Sequence, residues 1–576
     1  MQIPRPEHPN PQFMRENFQN LNGKWEFEID KSNSGTDRKL FEAEKLSGEI
    51  ILPFCPESEL SGVGEKDFMN SVWYKRNISI KSKDGIVLLH IGACDYFTTL
   101  YVNAKKVGTH KGGYTSFCFD ITNFVTLGEN TIVINAQDDN RTGLQPRGKQ
   151  SALFYSHDCD YTRTTGIWQT VWLEYKPKVN IESVKYYPDT ENCRLHINAI
   201  VNGNATLTAT AYYEGRKVGT ASAKNNGGNA YLTVELSEKH LWEVGEGRLY
   251  DLELQYGEDK VKSYFGLRNV TLDGYKFLIN GKSVFQRTVL DQGFYPDGIY
   301  TAPSEEAIIK DIKISQDAGF NGARLHQKVF EPRFLYHCDK LGYLVWGEHA
   351  NWGLDHTNIA SLPTFLREWQ EVVERDFNHP AIIGWCPFNE TWDLDNKKQS
   401  DELIEMVYKT TKAIDTTRPC IDTSGNCHVV TDIFDFHDYC QNVEEFKGYM
   451  EKFEKEDILI DQIERNPIYK GRQVYRGEPV FCSEYGGIKW DTETKKNNYN
   501  ESWGYGDAPK TKEEFVERFE GLTNAIMNNS KIMGLCYTQL YDVEQEKNGL
   551  YTYDRKPKFN MNIFKEILSR KAKIEE

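Results

Sequence analysis

Beyond Arg268 the chain alternates short apolar runs with runs of helical periodicity, and this alternation restricts the fold more than any other feature. The strand-like runs are 284–290, 320–325, 343–347, 381–387, 420–423, 433–437, 480–483 and 532–538. They are short, apolar and bounded by turn residues, as buried strands are. Helices are expected at 305–318, 332–341, 364–377, 401–414, 512–528 and 562–574. Ser304 reads as an N-cap for the first, with Glu305 and Glu306 in its opening turn and Gly319 at its end. Eight strands with intervening helices over about 300 residues fit a closed (β/α)8 barrel. An open doubly wound sheet is the rival, and the count of eight favours the barrel. The connection between the fifth and sixth runs fits least well.

The residues before the barrel read as β throughout. In 1–176, strands such as Lys24-Trp25-Glu26-Phe27-Glu28-Ile29 are separated by turns such as Gly112-Gly113, and no long 3.6-residue period appears. That is the pattern of a β-sandwich. Residues 177–268 continue with alternating runs, Leu207-Thr208-Ala209-Thr210-Ala211-Tyr212 among them, at the size of an immunoglobulin-like sandwich.

The net charge of −16 leaves no basic excess to meet phosphates, which argues against a nucleic-acid or anionic-membrane partner. The 12 cysteines show no metal-type spacing. Cys55, Cys94, Cys118, Cys386 and Cys482 lie in strand-like segments and read as buried thiols of a reducing compartment. Met1-Gln2-Ile3-Pro4 opens no apolar leader, and no window approaches a membrane span, so a cytoplasmic location is expected.

In a barrel of this kind reactive groups stand at the C-terminal ends of the strands. Two carboxylates end apolar runs there: Glu390, after the fourth, and Glu484, at the end of the seventh. These strands are not neighbours, so their ends can face each other across the mouth. Two facing carboxyl groups are what glycosidic bond cleavage needs, one protonated to donate to the leaving oxygen and one ionised to attack or to activate water. A shared site favours that split, because two nearby carboxylates resist double ionisation. Trp385 and Trp392 flank Glu390, and their rings are expected to lower the local polarity around it. Trp352, Trp490 and Trp503 also flank strand ends and are as readily loop packing as sugar platforms.

Over nearly its whole length the chain resembles glycoside hydrolase family 2, which includes β-galactosidases, β-glucuronidases and β-mannosidases. Leu21-Asn22-Gly23-Lys24-Trp25, Gly108 to Tyr114, and Thr165-Gly166-Ile167-Trp168-Gln169 resemble that family's N-terminal sandwich. Asn321-Gly322-Ala323-Arg324, Asn389-Glu390 and Ser483-Glu484-Tyr485-Gly486 resemble its barrel signatures. The resemblance implies a jelly-roll β-sandwich over 1–176, an immunoglobulin-like sandwich over 177–268 and a catalytic TIM barrel over 269–576. It also implies a retaining exo-β-glycosidase with Glu390 as acid/base, Glu484 as nucleophile, Asn389 on the sugar 2-hydroxyl and Arg324 supporting the nucleophile. Tyr439 matches the family's tyrosine near the nucleophile. Tyr537 stands where many members have a tryptophan that stacks on the sugar. No cofactor is implied, the expected partner is a carbohydrate, and homo-oligomers are common in the family.

Departures bear on the sugar. Leu325-His326-Gln327-Lys328 and Leu290-Asp291-Gln292 replace the commoner family runs at two strand ends, so Asp291, His326 and His437 are expected to line a reshaped glycone pocket. The glucuronidases use an Asn-x-Lys pair where this chain has Glu546-Lys547-Asn548. That favours a neutral, galactose-like glycone, with β-glucuronidase activity as the alternative. A carbohydrate-binding protein on the same fold that has lost its chemistry is the non-enzymatic reading. A metal-dependent barrel hydrolase would place His-x-His after its first strand, which is absent, so no metal is expected.

Overall fold

In the computed structural model, which describes residues 3–491 and 502–576, two β-sandwiches precede a barrel. Met1 and Gln2 lie outside the described residues. The first sandwich packs a four-stranded sheet against a six-stranded antiparallel one, whose longest pair, Ser71–Ile80 and Gly128–Gln137, is in register over ten residues. Of the thiols expected to be buried here, Cys55 and Cys94 are, whereas Cys118 is exposed. The second sandwich sets three strands against four. Its strand Tyr250–Tyr256 alternates buried and exposed residues along its whole length, as a sheet wet on one face requires.

The barrel strands are β1 (Gln286–Asp291), β2 (Gly322–Leu325), β3 (Leu344–Glu348), β4 (Ile382–Cys386), β5 (Thr423–Ser424), β6 (Phe434–Asp438), β7 (Val480–Gly486) and β8 (Ile532–Thr538). Seven of them form one parallel sheet in the order β4-β3-β2-β1-β8-β7-β6. β5 fills the gap between its edges by pairing in parallel with Phe388–Asn389, the continuation of β4. The helices are α1 (Glu305–Asp317), α2 (Pro332–Leu341), α3 (Leu362–Asp376), α4 (Asp401–Ile414), α5 (Val443–Glu456), α6 (Gln462–Arg465), α7 (Lys512–Met527) and α8 (Met561–Leu568). Ser304 caps α1 as its sequence predicts, accepting from Ala307 N. No helix among the described residues is long and apolar enough to cross a membrane.

The fifth strand departs from expectation. The apolar run at 420–423 shrinks to Thr423–Ser424, with Cys420 making a lone bridge to Trp385. Carboxylates take backbone donors in and after the shortened strand: Asp432 accepts from Cys420 N, and the buried Asp422 accepts from Thr423 N, Val429 N and Val430 N. These bonds also tie down the β5–β6 connection, which needs no helix.

Core side chains of both sandwiches join the barrel's hydrophobic cluster, including Tyr114, Tyr161 and Trp168 from the first and Trp242 from the second. Tyr114 N donates to Glu368 on α3 at 2.7 Å, so the first sandwich is fixed against the barrel beside its mouth.

Candidate active site

Pro387 has no N–H to give to a ladder, and it divides the fourth strand. Before it, Ile382–Cys386 pairs with β3; after it, Phe388–Asn389 pairs with β5. Asn389 N then donates to Asn351 Oδ1 at 2.8 Å, and Asn389 O accepts from Asn351 Nδ2 at 3.0 Å and Trp352 Nε1 at 3.2 Å. Glu390 N donates to Ser424 O at 2.8 Å. These anchors hold Glu390 at φ +52°, a left-handed conformation that costs a non-glycine residue about 1–3 kcal/mol. The turn brings its Oε1 to 2.8 Å from His437 Nδ1, while its Oε2 accepts from Trp392 Nε1 at 3.4 Å.

Glu484, on β7, faces four donors. Arg324 stands 3.1 Å and His326 Nε2 3.4 Å from its Oε1; the Tyr439 hydroxyl donates to its Oε2, which lies 3.4 Å from His437 Nδ1. Burial works against its charge, but His437, His326 and Arg324 outweigh burial and hold the carboxyl well below the usual range. Glu484 is therefore held ionised. Oxygens of Glu390 and Glu484 and a nitrogen of His437 all lie within 4.8 Å of one another, close enough to grip a cation, although the imidazole already hydrogen-bonds Glu390.

Arg324 organises this floor. Its Nε donates to Glu348 Oε1 at 2.5 Å, and its terminal nitrogens donate to Ser483 O at 2.8 Å and to Asn389 Oδ1 at 2.9 Å. One guanidinium thus links β2, β3, β4 and β7 through a rigid fork. Asn389 Oδ1 is consumed by that bond, whereas its buried Nδ2 has no partner among the described residues. Burial pushes Glu348 up to about 7 despite Arg324.

His437 Nε2 lies 3.0 Å from Ser424 Oγ, and Glu484 and Glu390 raise the imidazole against the effect of burial. His326 goes the other way: burial takes it down to about 3, so its ring is neutral. Its Nδ1 lies 3.1 Å from Gln292 Oε1, and the Gln292 amide nitrogen has no partner among the described residues. With that amide turned over, Gln292 donates to Nδ1 and the Nε2–H of His326 points at Glu484.

Three expected contributors stand elsewhere. Tyr537 points away from the mouth into the helix layer, edge-on to Phe519 and Tyr485; its neighbour Thr538, on the other face of β8, reaches Tyr439 at 3.1 Å. Alternation along a strand forces that choice. Trp385 likewise turns outward, donating to Asp415 at 2.8 Å and packing on Trp369, so only Trp392 adjoins Glu390. Asp291 is occupied beneath the mouth, accepting from Gly293 N at 2.9 Å and from the Tyr541 hydroxyl, with burial and Asp311 pushing it up to about 6.

No motif or periodicity marks Asn351, Ser424 or Tyr505 as site residues. The Tyr505 ring stacks on Tyr439 at 3.5 Å and 4°, fixing the hydroxyl that meets Glu484. A cavity of about 470 Å³ opens beside Glu390, lined by Trp352, Leu354, Trp392 and Leu394, with Gly143 and Arg147 from the first sandwich. Of the other tryptophans, Trp490 packs on Phe515 and Phe559 and Trp503 on Tyr505.

Comparison with known proteins places this geometry. Residues 270–572 match the family described as glycosyl hydrolases family 2, TIM barrel domain, and residues 63–177 match its sugar binding domain. A β-glucuronidase of Mus musculus is 24% identical over 626 aligned positions, 95% of this chain and 90% of that one. A β-galactosidase of Thermoanaerobacter pseudethanolicus is 26% identical over 408 positions, 66% of this chain and 52% of that one. A relative from Formosa agariphila is 28% identical over 58% of this chain and 41% of its own, so the chain's match spans about half the length of these last two. The crystal structure of Ruminococcus gnavus β-glucuronidase superposes with a TM-score of 0.80 over 99% of each chain at 17% identity, a likeness of fold.

Proposed function

The chain belongs to glycosyl hydrolase family 2, and from that premise we propose that it is a retaining exo-β-glycosidase in which Glu484 attacks the anomeric carbon and Glu390 serves as acid and then base. The observation that carries the reading is that Glu390 Oε1 and Glu484 Oε2 meet the same His437 Nδ1, at 2.8 and 3.4 Å, which leaves no room for a water between the carboxyl groups, with Glu484 held ionised. Retaining enzymes need carboxyl groups about 5–5.5 Å apart, whereas inverting enzymes hold theirs about 6.5–9.5 Å apart to admit a water.

The roles follow from the contacts. Arg324, Tyr439 and His326 keep the Glu484 carboxylate charged and aimed. As the glycosyl bond to Glu484 forms, negative charge leaves the carboxylate and reappears on the departing oxygen, where Glu390 delivers its proton. In the second step Glu390 takes a proton from water, which attacks the anomeric carbon and releases Glu484. Asn389 Nδ2 is placed to donate to the sugar 2-hydroxyl.

For the glycone, Glu546 and Asn548 in place of the Asn-x-Lys pair support a neutral, galactose-like sugar, and the relatives named as β-glucuronidases support the uronide alternative. NMR of the first-formed product tests the reaction class. Release of the β-anomer from an aryl β-glycoside is expected, and initial release of the α-anomer would end the retaining assignment.

A further inference from the structure

Lys149 belongs to the first sandwich, not to the barrel, yet its ammonium stands at the barrel mouth. The loop carrying it is docked by Arg147 N and Gly148 N, which donate to Trp352 O at 2.7 and 3.1 Å, and by Tyr161 N, which donates to Lys149 O at 2.7 Å. Gly148 is held at φ +59°, and a Cβ there would lie 2.4 Å from Gln327 O. Only glycine permits that approach, so the loop is fitted to the barrel residues that surround the nucleophile.

The side chain is 5% exposed, with its Nζ 4.5 Å from the centre of the Trp352 ring and 6.0 Å from that of Tyr161. Among the described residues, no oxygen accepts a hydrogen bond from it. Glu546 comes near, but its oxygens already accept from the Tyr161 hydroxyl and from Asn548 Nδ2 at 2.9 Å. Burial works against the charge on Lys149, but Cys159, Glu546, Glu484 and Asp160 outweigh burial and raise the ammonium above its usual range. Those charges act through space: no described oxygen accepts a hydrogen bond from the ammonium, and the rings of Trp352 and Tyr161 replace only part of its hydration.

We propose that Lys149 is a specificity-determining residue that donates to a hydroxyl oxygen of a neutral glycone, completing the sugar pocket from the N-terminal sandwich. This rests on the retaining-glycosidase reading above. A hydroxyl is preferred to a uronate carboxylate by charge. Glu546 and Glu484 already set two carboxylates against the one ammonium, and Arg324 is committed to Glu348, Glu484 and Asn389, so a uronate would add a third anion around a single cation.

The test compares the full-length wild type with Lys149→Met and Lys149→Arg on p-nitrophenyl β-galactoside, β-glucoside and β-glucuronide, with deoxy analogues of the best neutral substrate. Lys149→Met is expected to lower kcat/KM on that substrate by about 10- to 100-fold, the worth of one hydrogen bond from a charged donor. Lys149→Arg should recover part of the loss, and one deoxy analogue should show no difference between wild type and Lys149→Met. Equal kcat/KM for Lys149→Met and wild type on every substrate overturns the proposal. So does a wild-type preference for the glucuronide that Lys149→Met abolishes. Loss of turnover in Glu484→Gln alongside either result leaves the nucleophile assignment standing and the Lys149 role refuted; no turnover by wild type refutes both.

Discussion

Replacing His326 by Gln should make the protein less sensitive to acid. His326 is buried and neutral, with its imidazole taken from 6.5 down to about 3. A base with a depressed folded-state pKa contributes stability that is fully present above 6.5 and is lost as pH falls towards 3, because the unfolded chain gains a proton that the folded one refuses. By pH 4.5, two units below the unfolded value, that loss amounts to about 2.7 kcal/mol. Gln donates from about the same place as Nε2 but does not titrate. Wild type should therefore lose about 2.7 kcal/mol more than the variant over this interval, roughly 5 °C in the melting temperature of the barrel. Scanning calorimetry of both proteins at pH 7 and pH 4.5 makes the comparison, and groups common to the two cancel in the difference. If His326 were instead an imidazolium donating to both Gln292 Oε1 and Glu484, its folded-state pKa would be raised and acidification would stabilise wild type relative to the variant. Equal shifts in the two proteins, or a larger one in the variant, would refute the neutral assignment.

Two further substitutions probe the pair. Tyr439→Phe removes the hydroxyl that donates to Glu484 while keeping the ring stacked on Tyr505, so the acid limb of the kcat/KM profile should move up by about one pH unit, and an unmoved limb would count against that contact. Trp392→Phe removes the N–H that meets Glu390 Oε2; about 10-fold slower turnover of substrates with poor leaving groups, with dinitrophenyl glycosides little changed, is the expected signature, and equal losses on both would contradict it.

Much of this was legible in the chain because apolar runs and turn residues report strands directly. The run at 532–538 becomes Ile532–Thr538 without change, and helices α2 and α4 start and stop where their caps and periodicity put them. The two carboxylates were legible for the same reason, since each ends such a run. The fifth strand was not, because Asp432 takes the Cys420 N–H and Asp422 the Thr423 N–H, from positions that no periodicity marks. Tyr537 and Trp385 were misjudged by reading ring identity without strand phase; Thr538 faces the mouth, so Tyr537 cannot. Tyr505, Asn351 and Lys149 come from loops, two of them far in sequence from the strands they serve, and only the folded chain brings them to Glu390 and Glu484.

The central claim is that Glu484 forms a bond to the sugar and Glu390 does not. Glu484→Gly with an activated aryl β-glycoside and sodium azide tests it most directly. The variant should be inactive alone and should regain turnover with azide, releasing the α-glycosyl azide, because azide enters from the face the carboxylate has vacated. Recovery as the β-glycosyl azide, or rescue to the α-azide by Glu390→Gly in place of Glu484→Gly, would contradict the assignment.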